Sequence, residues 1–372
     1  MGVHRVLHIK GRLSSDGATA VEYGFAQELT PGTVFDWLLE EGPEEGWKKR
    51  FQQTGSHFFQ VQYPKHGKKK VLLKYRAYRD FFREHPYDTV HIDTDGFHRV
   101  AELYAAKRAG IPRRILHSHS TIAEVSGRLG GSGFSRRLGQ WLYTSLSTDC
   151  LACSEQAGEW LFGRKGKRPV TILKNGLDAE RFRFDPQKRE AIRKQLGWEN
   201  QKVLGHVGRF EPPKNHRFLL SVFETLYERD SAYRLLLIGD GSLRWEILEE
   251  VRRKRLDAVV SCPGTIEQVE SEYQAMDIFL FPSLAEGFGQ VAVEAQCSGL
   301  PCLIADTVTR QAAVTADCVF LPVDQGPESW AAQVEKLFQN PGDRAQRAQE
   351  AICAAGSDRR NSAEKLREIY GG

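Results

Sequence analysis

The segment EGFGQVAVE, Glu286 to Glu294, sets a carboxylate beside two glycines and an aromatic ring and places a second carboxylate eight positions on. An ionised carboxylate only accepts hydrogen bonds, so both glutamates suit a ligand rich in hydroxyl groups. Gly287 and Gly289, on either side of Phe288, would let a phosphate or a sugar come close to the backbone. The run MDIFLFPS just before them reads as a buried parallel strand leaving its sheet at Pro282 and Ser283, and the residues after Gly289 read as helix. Strand-to-helix turns at the carboxyl ends of parallel strands are where open α/β sheets bind ligands, because the helix start offers free N–H groups and a partial positive charge. Glu294, about one and a half turns into that helix, would face the far end of the same ligand. Taken alone, Glu286 reads first as a helix cap.

Further groups could have chemistry to offer. Arg209 and Lys214 lie in GRFEPPKNH, on a loop stiffened by Pro212 and Pro213 after the candidate strand KVLGHVG, so both cations fall at a strand's carboxyl end. Gly264 and Thr265, in CPGTIEQVESEY, are read as the end of one strand and the opening of a helix. His119 follows the strand of ILHSHSTI, with His117 on the same face if the strand persists. Asp93 and Asp95, in HIDTDGF, look superficially like a metal-binding pair, but they read better as lining a site or capping a helix that begins near Phe97. Cys150 and Cys153 have CxxC spacing without a second ligand pair or a helix start, so they read as core thiols.

These residues need elements to hold them. HRVLHI, YDTVHID, RRILHSH and TDCLACS are candidate strands in the first half, separated by helical stretches such as YRAYRDFFREH and FHRVAELYAAKRAG. KVLGHVG, YRLLLIGDG, AVVSCPG, DIFLFPS and PCLIAD repeat the alternation in the second half. Such alternation predicts parallel sheets covered by helices on both faces, and two such halves predict two doubly wound domains. The pattern breaks at Asn175 and Gly176 in TILKNGLDAERF.

Composition agrees with a globular chain of two domains: 372 residues, 41% hydrophobic and 27% charged. A net charge of +4 is too small to point to nucleic acid. Apolar runs stay strand-sized, below the roughly 20 residues of a membrane span, and MGVHRVLHI is too short and polar for a secretory signal. Seven cysteines, an odd number set mostly in apolar stretches, fit a reducing compartment, so the expected location is cytoplasmic.

In order and spacing, GRFEPPKNH, LLLIGDGSLR, DIFLFPSLAEGFGQVAVEAQCSGLPCLIAD and ILKNGLDAERF resemble the retaining nucleotide-sugar glycosyltransferases of family four. IPRRILHSHS and ACSEQAGEWLFG resemble its bacterial exopolysaccharide and capsule branch. The resemblance implies a GT-B fold, two Rossmann-like domains facing a cleft. The first, 1–174, would serve the acceptor, with a C-terminal helix of about 357–372 packing back on it; the second, 175–356, would bind the donor. It implies Glu294 at the ribose, Glu286 against the donor sugar, and Arg209 and Lys214 on the diphosphate. His119 would face the donor sugar from the first domain, with His117 as its competitor. Gly264 and Thr265 would lie near the base, and Gly287, Phe288 and Gly289 along the donor. The donor is expected to be a UDP-sugar, with no cofactor and no metal, since the two cations already balance the diphosphate.

The resemblance also puts Gly17 on the donor, but this chain departs from the family pattern in LSSDGAT, where Gly17 is kept while Asp16 stands in place of a second glycine. A carboxylate there would repel phosphate, so an amino or polyhydroxyl acceptor is the alternative partner for that loop. No nucleophilic carboxylate is legible beside the anomeric carbon, so the expected mechanism is front-face retention. The acceptor class is a glycan, a lipid-linked or a small molecule. The basic segment 65–85, KHGKKKVLLKYRAYRDFFREH, reads either as a helix on the inner face of a membrane or as an amphipathic helix with its apolar side in the core. Two other functions remain open on sequence: a GT-B nucleotide-sugar epimerase and a non-catalytic glycan-binding relative.

Overall fold

The computed structural model describes residues 3–14, 17–64, 66–67, 69–94, 96–119, 133–164, 168–266, 268–339 and 341–371. The chain forms two compact units, Met1–Leu177 with Asp358–Gly372, and Asp178–Ser357. Asp16 and Asp95 lie outside the described residues.

The first unit runs β1 (His4–Lys10), α1 (Gly17–Leu29), β2 (Thr33–Leu39), α2 (Glu45–Gln53), β3 (Phe58–Gln60), α3 (Lys70–Glu84) and β4 (Thr89–Thr94). It continues through α4 (Val100–Arg108), β5 (Arg113–Ser118), α5 (Gly133–Leu146), β6 (Asp149–Ala152), α6 (Glu155–Phe162) and β7 (Val170–Ile172). Its strands are all parallel, in the order β3-β2-β1-β4-β5-β6-β7. Alternate side chains feed two cores. Leu7, Ile9, Val90, Ile92 and Leu116 meet Tyr78, Phe82 and Leu103 on one face. Val6, Phe35, Trp37 and Ile115 meet Val21 and Phe25 of α1 on the other, where Leu366 and Tyr370 also pack. These last two lie in the last turns of the C-terminal helix, α13 (Arg344–Tyr370).

The second unit runs α7 (Pro186–Leu196), β8 (Lys202–Val207), α8 (His216–Arg229), β9 (Tyr233–Ile238), α9 (Arg244–Arg253) and β10 (Val260–Gly264). Then come α10 (Val269–Ala275), β11 (Ile278–Phe281), α11 (Gln290–Cys297), β12 (Cys302–Ala305), β13 (Cys318–Leu321) and α12 (Gly326–Gln339). The sheet order is β10-β9-β8-β11-β12-β13, again all parallel. Chain order reverses between β1 and β4 in one sheet and between β8 and β11 in the other. The crevice at the carboxyl ends of such a pair is where doubly wound sheets take ligands.

Several sequence expectations are corrected. Strands β2, β3, β7 and β13 carry no clear sequence signal. In β2 the apolar run is broken by Asp36, which is fully buried yet accepts hydrogen bonds from Arg5 Nε at 2.6 Å and the Tyr87 hydroxyl at 2.9 Å. The helix after Gly264 opens at Val269, so Thr265 stands in a loop. In the basic segment, Tyr78 and Phe82 face the core, and Lys74 is buried between Glu102 at 2.6 Å and Glu40 at 3.3 Å rather than solvated. Val71 and Leu72 remain exposed on its first turn.

Candidate active site

In the second unit the switch point is built from the loops that leave β8 and β11. Those loops are joined: Leu284 N–H donates to Pro213 O at 2.7 Å, and the Asn215 side chain donates to Pro282 O at 3.3 Å. The joining brings Lys214 to Glu286, and its ammonium donates to the Glu286 carboxylate. Glu286 is buried, 6% exposed, so this cation is the main compensation for its charge. The helix-cap reading of Glu286 is thereby corrected. The N-cap of α11 is Gly289, at φ 89°, and no side chain caps it. A side chain there would meet Phe281 at 3.1 Å and Val308 at 3.2 Å, a tight fit, and the left-handed conformation favours glycine. Phe288 is buried beside it.

Arg209, on the same β8 loop, is exposed and has no side-chain partner among the described residues. The loop is braced from β9, because Gly239 at φ +138° lies against the Gly208 carbonyl, where a Cβ would come within 2.1 Å of the oxygen. Gly264 also has positive φ, +90°, and is buried, whereas Thr265 is exposed.

Glu294 sits one turn into α11. Its Oε2 accepts a hydrogen bond from the Tyr273 hydroxyl at 2.8 Å. Burial pushes this carboxyl up to about 7, against the pull of the Tyr273 bond and of Arg181. Tyr273 is fully buried. Sequence reasoning missed it, because a tyrosine in QVESEYQAMD reads as core; only its distance to Glu294 marks it.

In the first unit, His119 Nε2 lies 2.8 Å from Asp93 Oδ1. Asp93 therefore caps no helix: α4 starts at Val100, and its N-cap, Arg99, makes no side-chain bond. The side-chain period of two and the pairings His8↔His91 and Asp93↔His117 put His8, His91, Asp93 and His117 on one sheet face. The His117 and His119 rings are 4.0 Å apart, so both histidines belong to one cluster. Burial would raise the Asp93 pKa, yet the His119 bond and the neighbouring His8 ring hold it well below the usual carboxylate range. Burial drives His91 down to about 3 and His117 well below its ordinary value. His91, Asp93 and His117 converge closely enough to hold a metal ion, as do Glu22, Asp93 and His119. Gly17, expected on the donor, is the exposed first residue of α1. Cys150 and Cys153 are both buried, without a disulfide.

The model of the glycosyl transferases group 1 matches residues 188–352, and that of Glycosyltransferase Family 4 matches residues 39–181. EpsF of Bacillus subtilis (strain 168), which bears the name of a glycosyltransferase, is 31% identical over 376 residues, covering 98% of this chain and 96% of EpsF. The chain belongs to glycosyltransferase family 4. Solved structures give this glycosyltransferase its architecture. Anabaena HepE, in complex with UDP and glucose, superposes with a TM-score of 0.80 at 19% identity over 98% of both chains. WaaG, a glycosyltransferase involved in lipopolysaccharide biosynthesis, superposes at 0.75 and 18% identity, over 99% of this chain and 100% of its own. The two parallel sheets of six and seven strands are those of the GT-B fold. The epimerase and glycan-binding alternatives give way to glycosyl transfer. No described helix is long and apolar enough to cross a membrane.

Proposed function

We propose that this glycosyltransferase moves a sugar from a UDP-sugar to a glycan, lipid-linked or small-molecule acceptor with retention of anomeric configuration, in the cytoplasm, as a step of exopolysaccharide assembly. The observation that carries the reading is the joining of Lys214 to Glu286 at the switch point of the second sheet, with Glu294 one turn further along the helix. The UDP and glucose complex of HepE supports the choice of donor. In the proposed roles Glu294 accepts from the ribose hydroxyls, and Gly264 and Thr265 lie near the base. Gly287, Phe288 and Gly289 line the sugar and phosphate path, and Gly17 lies near the donor as well. Arg209 and Lys214 balance the diphosphate and Glu286 orients the donor sugar, while His119 assists transfer.

The acceptor oxygen attacks the anomeric carbon on the face from which the diphosphate leaves. The bond from that carbon to the phosphate oxygen breaks, and the acceptor proton passes to the departing phosphate. Arg209 and Lys214 take up the charge that grows there, which is the largest electrostatic demand of the step. With two cations in place, no metal ion is needed at the diphosphate.

Thermal-shift titration with UDP, GDP and ADP tests the donor: UDP is expected to raise the melting temperature most, since a ligand that binds only the folded state stabilises it. Proton NMR of the product then reads the anomeric configuration, and an inverted product overturns retention. Added magnesium or manganese is expected to leave the rate unchanged.

Peripheral contact with an anionic membrane is a second part of the proposal. Val71 and Leu72 are 69% and 47% exposed at the first turn of α3, next to Lys69 and Lys70. Sedimentation with phosphatidylglycerol vesicles should fall when both are changed to glutamate.

A further inference from the structure

Behind His119 the first unit holds a cluster that glycosyl transfer does not call for. His8, His91, Asp93 and His117 are each 5% exposed or less. With Glu22 of α1 and Tyr370 of α13 they line a narrow cavity of about 10 Å³, room for one water molecule or one small cation. Into it point His91 Nε2 and His117 Nδ1, 3.2 Å apart, and each lies 3.8 Å from Asp93 Oδ1. The two imidazole nitrogens can share a proton, but 3.8 Å is too long for either to bond the carboxylate. A triangle of these sides has its centre about 2.1 Å from each corner, which is the bond length of zinc to imidazole nitrogen and carboxylate oxygen.

The surroundings favour an ion. The outer nitrogen of His91, Nδ1, meets the Tyr370 hydroxyl at 2.7 Å, and metal-ligating histidines are held in this way by a partner on the far side of the ring. Asp93 Oδ2 and His117 Nε2 are buried without a hydrogen-bond partner among the described residues. The alternative triad of Glu22, Asp93 and His119 is weaker, because Glu22 is already paired with Lys10 at 2.8 Å.

We propose that His91, Asp93 and His117 bind one zinc ion. Two imidazoles and one carboxylate suit zinc, whereas magnesium and calcium take sets made of oxygen alone. The ion would fix the carboxylate that holds His119 Nε2 at 2.8 Å, and so orient His119 from behind. Asp93, His91 and His117 are positioning residues in this scheme. The proposal rests on the first unit's geometry and is independent of donor and acceptor.

The test uses the full chain without a histidine tag, incubated with zinc chloride, desalted and measured by mass spectrometry for metal. About one zinc per chain is expected, falling to about a tenth in His91→Ala and His117→Ala, with Tyr370→Phe weakening zinc affinity about tenfold. Less than about a tenth of an equivalent in the wild type overturns the proposal and leaves the cavity to water. So does undiminished zinc in folded His91→Ala and His117→Ala. Because those variants could fail to fold, cobalt titration of the wild type gives a second reading. Visible ligand-field bands saturating at one equivalent and displaced by zinc are expected. Their absence, or the near-ultraviolet charge-transfer bands of thiolate ligands, also overturns it.

Discussion

Lys214 and Glu286, 72 residues apart in sequence, form an ion pair in the second unit, so the cation assigned to the diphosphate already holds a carboxylate before any donor arrives. In the proposed roles, diphosphate competes with Glu286 for that ammonium. Glu286→Gln removes the competitor, and UDP affinity is expected to rise about three- to tenfold by calorimetry, while turnover falls about 10²–10³-fold because the donor sugar loses its partner. Lys214→Ala and Arg209→Ala should each lower kcat/KM by about 2–4 kcal/mol of transition-state stabilisation. Near-normal efficiency in both would remove them from the diphosphate.

Glu294 predicts a pH dependence. In its proposed role Glu294 accepts from ribose hydroxyls as the ionised carboxylate, and burial has moved its titration up to about 7. UDP affinity should therefore rise with pH through about 7 and level off above it. Tyr273 bonds the charged form, so Tyr273→Phe should shift that midpoint upward. Glu294→Gln should bind weakly and show no such slope when calorimetry is repeated across pH.

The first unit offers a stability test. Glu102 is fully buried and pairs with Lys74 at 2.6 Å and Arg99 at 3.0 Å. Glu102→Ala would leave two buried cations short of charge, and urea unfolding should show a loss of about 3–5 kcal/mol.

Gly239→Ala tests the brace behind the Lys214 loop. A Cβ there would sit 2.1 Å from the Gly208 carbonyl oxygen at a φ of +138°. Backbone strain of about 1–3 kcal/mol is expected in stability, together with reduced turnover as the loop shifts. Unchanged kcat in a folded variant would separate the brace from the chemistry.

Much of the fold was legible locally. Buried parallel strands such as IFLF and CLIA read as apolar runs, and the turn after β11 announced itself through Gly287 and Gly289. The short edge strand β3 and the interrupted β2 were not legible: FFQ has three residues, and the Asp36 of TVFDWLL makes sense only once Arg5 and Tyr87 are beside it.

The sequence by itself determined the alternation of strand and helix, the two α/β halves, and the residue types at each strand end, because these depend on periodicity and turn chemistry over a few neighbouring positions. Tertiary structure decided the partnerships. Lys214 meets Glu286 because β8 lies beside β11, Asp93 meets His119 because β4 lies beside β5, and Tyr370 reaches His91 across 279 residues because α13 closes on the first sheet. Strand neighbours in a parallel sheet are set by long crossovers, and the contacts that select them are spread through the core, so no local pattern records them.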